Sequence, residues 1–136
     1  MNGVSRFASG IVVLVALGLG LGSLSATLRA DEEGAEAVHD IALPTDDAAI
    51  AVGKTRFGEK CGGFCHGSGG KGGRAPCLIC GKFKRGGKDS QIAANIANGV
   101  EGTAMGAFKD ALTKDEILAV VAYLRAEQKK KEAESQ

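Results

Sequence analysis

The feature that most constrains this chain is a pair of cysteines followed at once by a histidine, Cys61-Gly62-Gly63-Phe64-Cys65-His66. Two thiols at this spacing can each add across a vinyl group of haem to form a thioether, and the adjacent imidazole can then reach the iron without a further loop closure. The usual motif for this attachment has two residues between the cysteines, whereas this chain has three. The motif favours covalent haem attachment and leaves other uses of the thiols open.

Two further cysteines, Cys77 and Cys80, supply the alternatives. Together with Cys61 and Cys65 they have the spacing of a four-thiolate zinc site. The four cysteines could instead form two disulfides, and in an oxidising compartment the short spacing of Cys77 and Cys80 favours a disulfide between them over free or metal-bound thiols.

Residues 1–30 have the pattern of an export signal. Arg6 provides a positive charge, and the apolar stretch that follows from Ile11 is too short and too rich in glycine for a membrane span. Small residues such as Ala26 and Ala30 offer cleavage sites, with an uncleaved anchor in the inner membrane as the alternative. We therefore expect a periplasmic protein that contacts the membrane only if this leader is retained.

Behind the leader, the composition divides the chain into three parts. Residues 31–47 carry seven acids and no Lys or Arg, which predicts a flexible acidic arm, and His39 within it is expected to face solvent rather than bind metal. Residues 48–126 suffice for one small domain, and residues 127–136 are expected to form a charged tail that frays into solvent. The whole chain has five Phe, one Tyr and no Trp, so it offers few bulky side chains for a hydrophobic core. A large apolar cofactor is therefore expected to fill the centre of the domain.

Three helices are predicted within the domain. The first is capped by Asp46 or Asp47, and the second, short helix is capped by Asp89 or Ser90. The third opens with a capping box over Thr113-Lys-Asp-Glu. Each helix carries apolar residues at helical spacing, which are Ala49, Ile50, Gly53 and Phe57 in the first, Ile92 and Ile96 in the second, and Ile117, Val120, Val121 and Leu124 in the third.

Two residues outside the helices have properties that suit a haem site. Pro76 lacks an N–H but keeps a carbonyl, and a metal-bound histidine commonly donates its second ring N–H to such an acceptor; the alternative is a simple turn proline. Met105 lies in a glycine-bearing loop, where its thioether can serve as a soft axial ligand or simply fill the core.

The order of these parts resembles the small single-haem class I cytochromes c of bacteria over residues 53–125. The matching pieces are Gly53-Lys-Thr-Arg-Phe57-Gly-Glu-Lys-Cys61, Arg85-Gly-Gly-Lys-Asp, Gly102-Thr-Ala-Met105-Gly-Ala-Phe108 and Val120-Val-Ala-Tyr123-Leu-Arg. The resemblance implies an all-α, class I cytochrome c fold with about three main helices around one covalently bound haem c. It also implies that Gly53 and Phe57 meet Tyr123 where the first and last helices cross.

Site residues follow from the same resemblance. Cys61 and Cys65 would form the thioethers, and His66 and Met105 would be the proximal and distal iron ligands. The carbonyl of Pro76 would orient the His66 ring, and Leu78 would pack on the haem. The additional residue between Cys61 and Cys65 and the Cys77/Cys80 pair depart from the general family pattern.

These expectations indicate an electron carrier and not an enzyme, since both axial positions would be filled by protein. A haem-based sensor or a zinc-binding module are the alternatives. Between residues 54 and 88 there are nine basic residues and one acid, a net charge of +8. We expect this segment to face redox partner proteins with acidic docking surfaces, and we expect no nucleic-acid partner.

Overall fold

The computed structural model describes residues 38–136, so the predicted leader and residues 31–37 of the predicted arm lie outside the described residues. The described part contains three α-helices and no strand, which confirms the all-α expectation. The helices are α1 (Asp47–Phe57), α2 (Asp89–Asn98) and α3 (Lys114–Glu134). From residue 38 onward, none of the helices is long and apolar enough to cross a membrane.

Two short helical pieces follow α1 directly. A π-helical segment (Gly58–His66) continues α1 through the cysteine motif, and a single 3-10 turn (Ser68–Gly70) comes after it. The loop from residue 71 to residue 88 then leads to α2. The sequence motif therefore lies on a helical continuation of α1 and not in a loop.

The first and last helices cross at Gly53. A Cβ atom added to Gly53 would lie 2.0 Å from the backbone oxygen of Ala119, so only a glycine permits this approach. One helical turn later, the rings of Phe57 and Tyr123 pack with their centroids 5.6 Å apart. These contacts confirm the predicted meeting of Gly53 and Phe57 with Tyr123.

Two of the predicted helix caps are confirmed. The Asp46 carboxylate accepts a hydrogen bond of 2.8 Å from the Ala49 N–H at the start of α1. At the start of α3, Thr113 Oγ1 accepts from the Glu116 N–H (3.2 Å), and Glu116 Oε2 accepts from the Thr113 N–H (2.8 Å). Arg56 Nε donates to Glu116 Oε1 at 2.7 Å, which ties α1 to this cap.

The cap of α2 differs from the prediction. Neither Asp89 nor Ser90 is the N-cap, because Lys88 holds that position and the helix begins at Asp89. The carboxylate of Asp40 instead satisfies the first turn, accepting from the Ser90 N–H (2.9 Å) and from the Ser90 hydroxyl. These two bonds hold the pKa of Asp40 below its usual value. Next to them, the Asp89 N–H donates to the carbonyl of Val38 (2.9 Å), and the half-exposed His39 places Nδ1 2.7 Å from Asp89 Oδ2. The described end of the acidic segment is thus bound to α2 by hydrogen bonds.

The Asp89 carboxylate, which is completely buried, joins α2 to α3. Arg125 Nε donates to Asp89 Oδ1 at 2.7 Å, and the same guanidinium donates to the carbonyl of Gly87 and to Gln128 Oε1. Gln128 is itself buried and donates to the carbonyl of Leu78 at 2.7 Å. Residues 127–134, which were expected to fray, therefore continue α3 as an ordered helix.

Candidate functional site

The π-helical segment explains how this chain accommodates one more residue between its cysteines. A π-helix closes hydrogen bonds between residues i and i+5 instead of i and i+4, so each turn takes up an additional residue. Cys61 and Cys65, four positions apart, consequently both line the wall of one cavity. Both are half-buried free thiols. Burial, with a smaller contribution from Cys65, raises the pKa of the Cys61 thiol to about 11.

His66 ends the π-helical segment with its side chain prepared for ligation. The residue is only 8% exposed, and its Nδ1 lies 3.0 Å from the backbone oxygen of Pro76. A carbonyl can only accept, so Nδ1 carries the proton in this contact and the lone pair of Nε2 remains available to a metal. Backbone hydrogen bonds fold the glycine-rich loop back onto the motif: the Gly72 N–H donates to His66 O and the Ala75 N–H to Cys65 O.

Met105 is positioned by a tight loop after α2. The Val100 N–H donates to the Met105 carbonyl (2.9 Å), and the Met105 N–H donates to Thr103 Oγ1 (3.2 Å). Gly99 ends α2 with a φ of 76°, and a Cβ there would lie 2.8 Å from the Met105 carbonyl oxygen. These constraints place the half-buried thioether of Met105 at the wall of the cavity that Cys61 also lines.

The cavity has a volume of about 610 Å³, which is typical of a site for a small-molecule cofactor. Leu78 lines it and is half-buried. Apolar lining residues also come from all three helices; these are Phe57, Ile92, Ile96, Val120 and Leu124. Two free thiols, an imidazole with one free nitrogen and a thioether therefore share one apolar cavity. This donor set fits haem c.

The zinc alternative does not fit this arrangement. Cys77 and Cys80 form a disulfide with each other, which leaves only two of the four sulfurs for a metal. Across residues 38–136, no group of three or more His, Cys, Asp or Glu side chains is arranged to hold a metal ion.

Phe64 is a surface feature that the sequence reasoning missed. It lies between the two cysteines, is 71% exposed and contacts the Arg74 guanidinium, whose central carbon lies 4.2 Å from the ring centroid. The only signal in the sequence was the position of this residue, an aromatic side chain between the two cysteines.

The charged residues that line the cavity are all basic. There are five of them and no acid; these are Lys60, Arg74, Lys82, Lys84 and Arg85.

A match to a known protein family identifies the kind of protein that contains this cavity. The family described as "Cytochrome C oxidase, cbb3-type, subunit III" matches residues 48–124, more than half of the chain. The chain belongs to this family of cytochrome c domains. It is a small single-haem cytochrome c, and membership of the family implies covalent haem c and haem-based electron transfer.

Two solved structures share the cytochrome c-like fold. Cytochrome cL from the marine methylotrophic bacterium Methylophaga aminisulfidivorans MPT is 34% identical, with a TM-score of 0.56 over 60% of this chain and 57% of that chain. A chain of a reducing HAO-like protein complex from Kuenenia stuttgartiensis is 23% identical, with a TM-score of 0.56 over 64% of this chain and 47% of that chain. The cytochrome thus matches about half of the length of each. None of the curated proteins is significantly similar to it.

Proposed function

We propose that this cytochrome is an exported, periplasmic electron carrier whose haem iron is bound by His66 and Met105, with thioethers to Cys61 and Cys65. The observation that carries the proposal is that these four side chains line one apolar cavity. The leader pattern of residues 1–30 supports export, with anchoring to the inner membrane if the leader is retained.

Each of these residues has a separate task in the proposal. Cys61 and Cys65 hold the cofactor covalently, and Pro76 keeps the His66 ring in the tautomer and orientation that presents Nε2. When bound, the haem supplies an iron that takes up and releases one electron, and His/Met ligation raises its reduction potential. With His66 and Met105 both holding the iron, a substrate would find no open coordination site, which would suit transfer of electrons and not an enzymatic reaction.

The charges around the cavity support a particular kind of partner. All five charged residues that line it are basic, and Arg74 lies against the exposed ring of Phe64. A positive field at the mouth of the site steers the protein towards an acidic surface and raises the encounter rate. The proposed redox partner therefore presents a carboxylate-rich docking patch, on which binding is weak and brief.

Substitution of Met105 tests the proposed ligation. Met105→Ala is expected to abolish the weak red absorption band of methionine-bound ferric haem and to lower the reduction potential, since the soft ligand is lost. Ala107→Ser is the matched control, because Ala107 lies in the same loop, is exposed and does not line the cavity.

An unchanged red band in Met105→Ala would show that Met105 is not a ligand. Rapid binding of carbon monoxide by the reduced wild-type protein would show an open iron site and would favour a ligand-binding sensor over a carrier.

A further inference from the structure

The cytochrome has a second pair of sulfur atoms that the proposed haem attachment does not use. Cys77 and Cys80 form a disulfide, with their Cα atoms 5.6 Å apart, in the loop that precedes α2. The two halves of the disulfide have different surroundings. Cys80 is exposed, whereas Cys77 is half-buried and lines the haem cavity. An attacking group from solvent therefore reaches Cys80 first.

A cation and a second cavity adjoin Cys80. Lys131, near the end of α3, places its Nζ 3.0 Å from Cys80 Sγ. A shallow cavity of about 270 Å³ opens beside the sulfur atom, and it is lined by Ile79, Cys80, Lys131, Glu132, Ser135 and Gln136. An ammonium group at this distance stabilises a thiolate on Cys80, and the cavity gives a partner's side chain room to approach.

The loop keeps its shape by other means than the disulfide. The Leu78 N–H donates to the Gly70 carbonyl (2.8 Å), Gln128 donates to the Leu78 carbonyl (2.7 Å), and Ile79 is buried in the core. The stabilisation from a disulfide grows with the length of the loop that it closes, and these cysteines are only three positions apart. We therefore expect the fold to persist when the bond is broken and reformed.

We propose that Cys77–Cys80 is a thiol–disulfide exchange site for a dithiol partner, in which Cys80 forms the mixed disulfide and Cys77 is the leaving thiol. A thiolate of the partner attacks Cys80 Sγ, the bond between Cys80 and Cys77 breaks, and Cys77 leaves with the electron pair and takes up a proton. The partner's second thiol, once deprotonated, attacks the partner sulfur of the mixed disulfide and releases Cys80 as a thiolate beside Lys131. The Cys77–Cys80 disulfide gains two electrons and one proton, the partner's dithiol becomes a disulfide, and the second proton of the dithiol passes to solvent.

The site is tested first on the haem-loaded protein in native buffer. The protein is equilibrated with mixtures of reduced and oxidised dithiothreitol, and free thiols are labelled with a maleimide and located by peptide mass. We expect Cys77 and Cys80 to be labelled together as the reduced fraction rises, while the haem spectrum and the helical circular dichroism stay unchanged. Labelling that appears only in denaturant would overturn the proposal. Label on Cys61 or Cys65 would contradict haem attachment instead, so the two failures are distinguishable.

The assignment of roles is tested with single-cysteine variants and a lysine pair. Cys77→Ser should form a mixed disulfide with oxidised glutathione at Cys80 much faster than Cys80→Ser forms one at Cys77. In the Cys77→Ser protein, Lys131→Met should slow maleimide labelling of Cys80 at neutral pH by about threefold. This follows if the Lys131 ammonium group lowers the pKa of the Cys80 thiol by roughly one unit. The larger thiolate fraction then speeds labelling, and the lower nucleophilicity of that thiolate offsets part of the gain.

Lys129→Met is the control for Lys131→Met, because Lys129 lies on the same helix and does not line the second cavity. It should leave the labelling rate unchanged. Equal rates for the two single-cysteine variants, or an equal effect of the two lysine substitutions, would overturn the proposed roles.

Discussion

The imidazole of His66 depends on a backbone atom ten positions further along the chain. Pro76 has no N–H of its own, and its carbonyl oxygen lies 3.0 Å from His66 Nδ1. Because this contact leaves Nε2 free, the glycine-rich loop that returns from the motif to Pro76 would support the proposed ligation by His66. The same loop also contacts the end of the π-helical segment, since the Ala75 N–H donates to the Cys65 carbonyl at 3.0 Å.

The spacing leads to a prediction about the two thiols. Both line the cavity, so the wild-type pyridine haemochrome spectrum should have the band position of haem with both vinyl groups saturated. Cys61→Ala should shift the band to the position for one saturated vinyl group while the haem stays covalently bound through Cys65. Ser68→Ala, just beyond the motif and outside the cavity lining, should leave the band in place. A single-thioether band in the wild-type protein would contradict attachment through both cysteines.

Among the elements, the contact of α1 with α3 sets the position of the motif. The π-helical segment continues α1, so any change in how α1 crosses α3 also moves Cys61, Cys65 and His66. The crossing depends on the absence of a side chain at Gly53 and on the packing of Phe57 against Tyr123.

Gly53→Ala tests this crossing. The new methyl group would collide with the Ala119 backbone oxygen, and we expect the free energy of unfolding to fall by about 1–3 kcal/mol, as for other overpacked sites. Gly58→Ala is the control, since a Cβ there meets no atom within 4 Å, and it should be neutral or stabilising by about 0.4–1 kcal/mol. The measurement is denaturant unfolding followed by helical circular dichroism, and equal effects of the two substitutions would refute the close-packed crossing.

The contact of α2 with α3 depends on the buried Asp89–Arg125 pair. Arg125→Leu removes the cation and leaves the Asp89 carboxylate buried beside His39 alone, so we expect a loss of about 3–5 kcal/mol in the free energy of unfolding. Lys130→Leu removes a largely exposed cation of the same helix that pairs with Glu127, and it should cause little change. A small effect of Arg125→Leu in the same unfolding assay would show that Asp89 is satisfied without it.

For the molecule as a whole, positive and negative charges are concentrated in different segments of the chain. The segment from residue 54 to residue 88 carries a net charge of +8, while the whole protein carries +1. Five of the basic residues line the cavity, so the positive end of the molecule coincides with the proposed haem site. Long-range steering by such a charge distribution weakens as salt shortens the screening length.

We expect the rate of electron transfer to an acidic redox partner to fall steeply as ionic strength rises. Lys82→Glu and Arg85→Glu should each slow the reaction at low salt, because both side chains line the cavity. Lys129→Glu makes the same change in charge away from the cavity lining and should have a smaller effect. Stopped-flow kinetics over a range of salt concentrations measures this. A rate that is flat or rises with salt would exclude the basic face as the docking surface.

Several parts of this protein could be predicted from sequence because the determining interactions are local. The caps at Asp46 and Thr113 bond residues three positions away, and the apolar faces of α1 and α3 repeat at helical spacing. The cysteine–histidine motif is equally local, and its chemistry follows from residue type and order. The order of the parts was specific enough to indicate the family.

Only the tertiary structure decided the interactions between residues that are distant in the chain. The carboxylate that satisfies the first turn of α2 belongs to Asp40, fifty positions before Ser90, and Asp89 pairs with Arg125, thirty-six positions later. No local pattern marks such partners, because their hydrogen bonds form only after the helices have packed. The same holds for Met105, for which sequence allowed core packing or ligation: its position at the cavity wall results from the loop bonds that follow α2, made possible by the positive φ of Gly99.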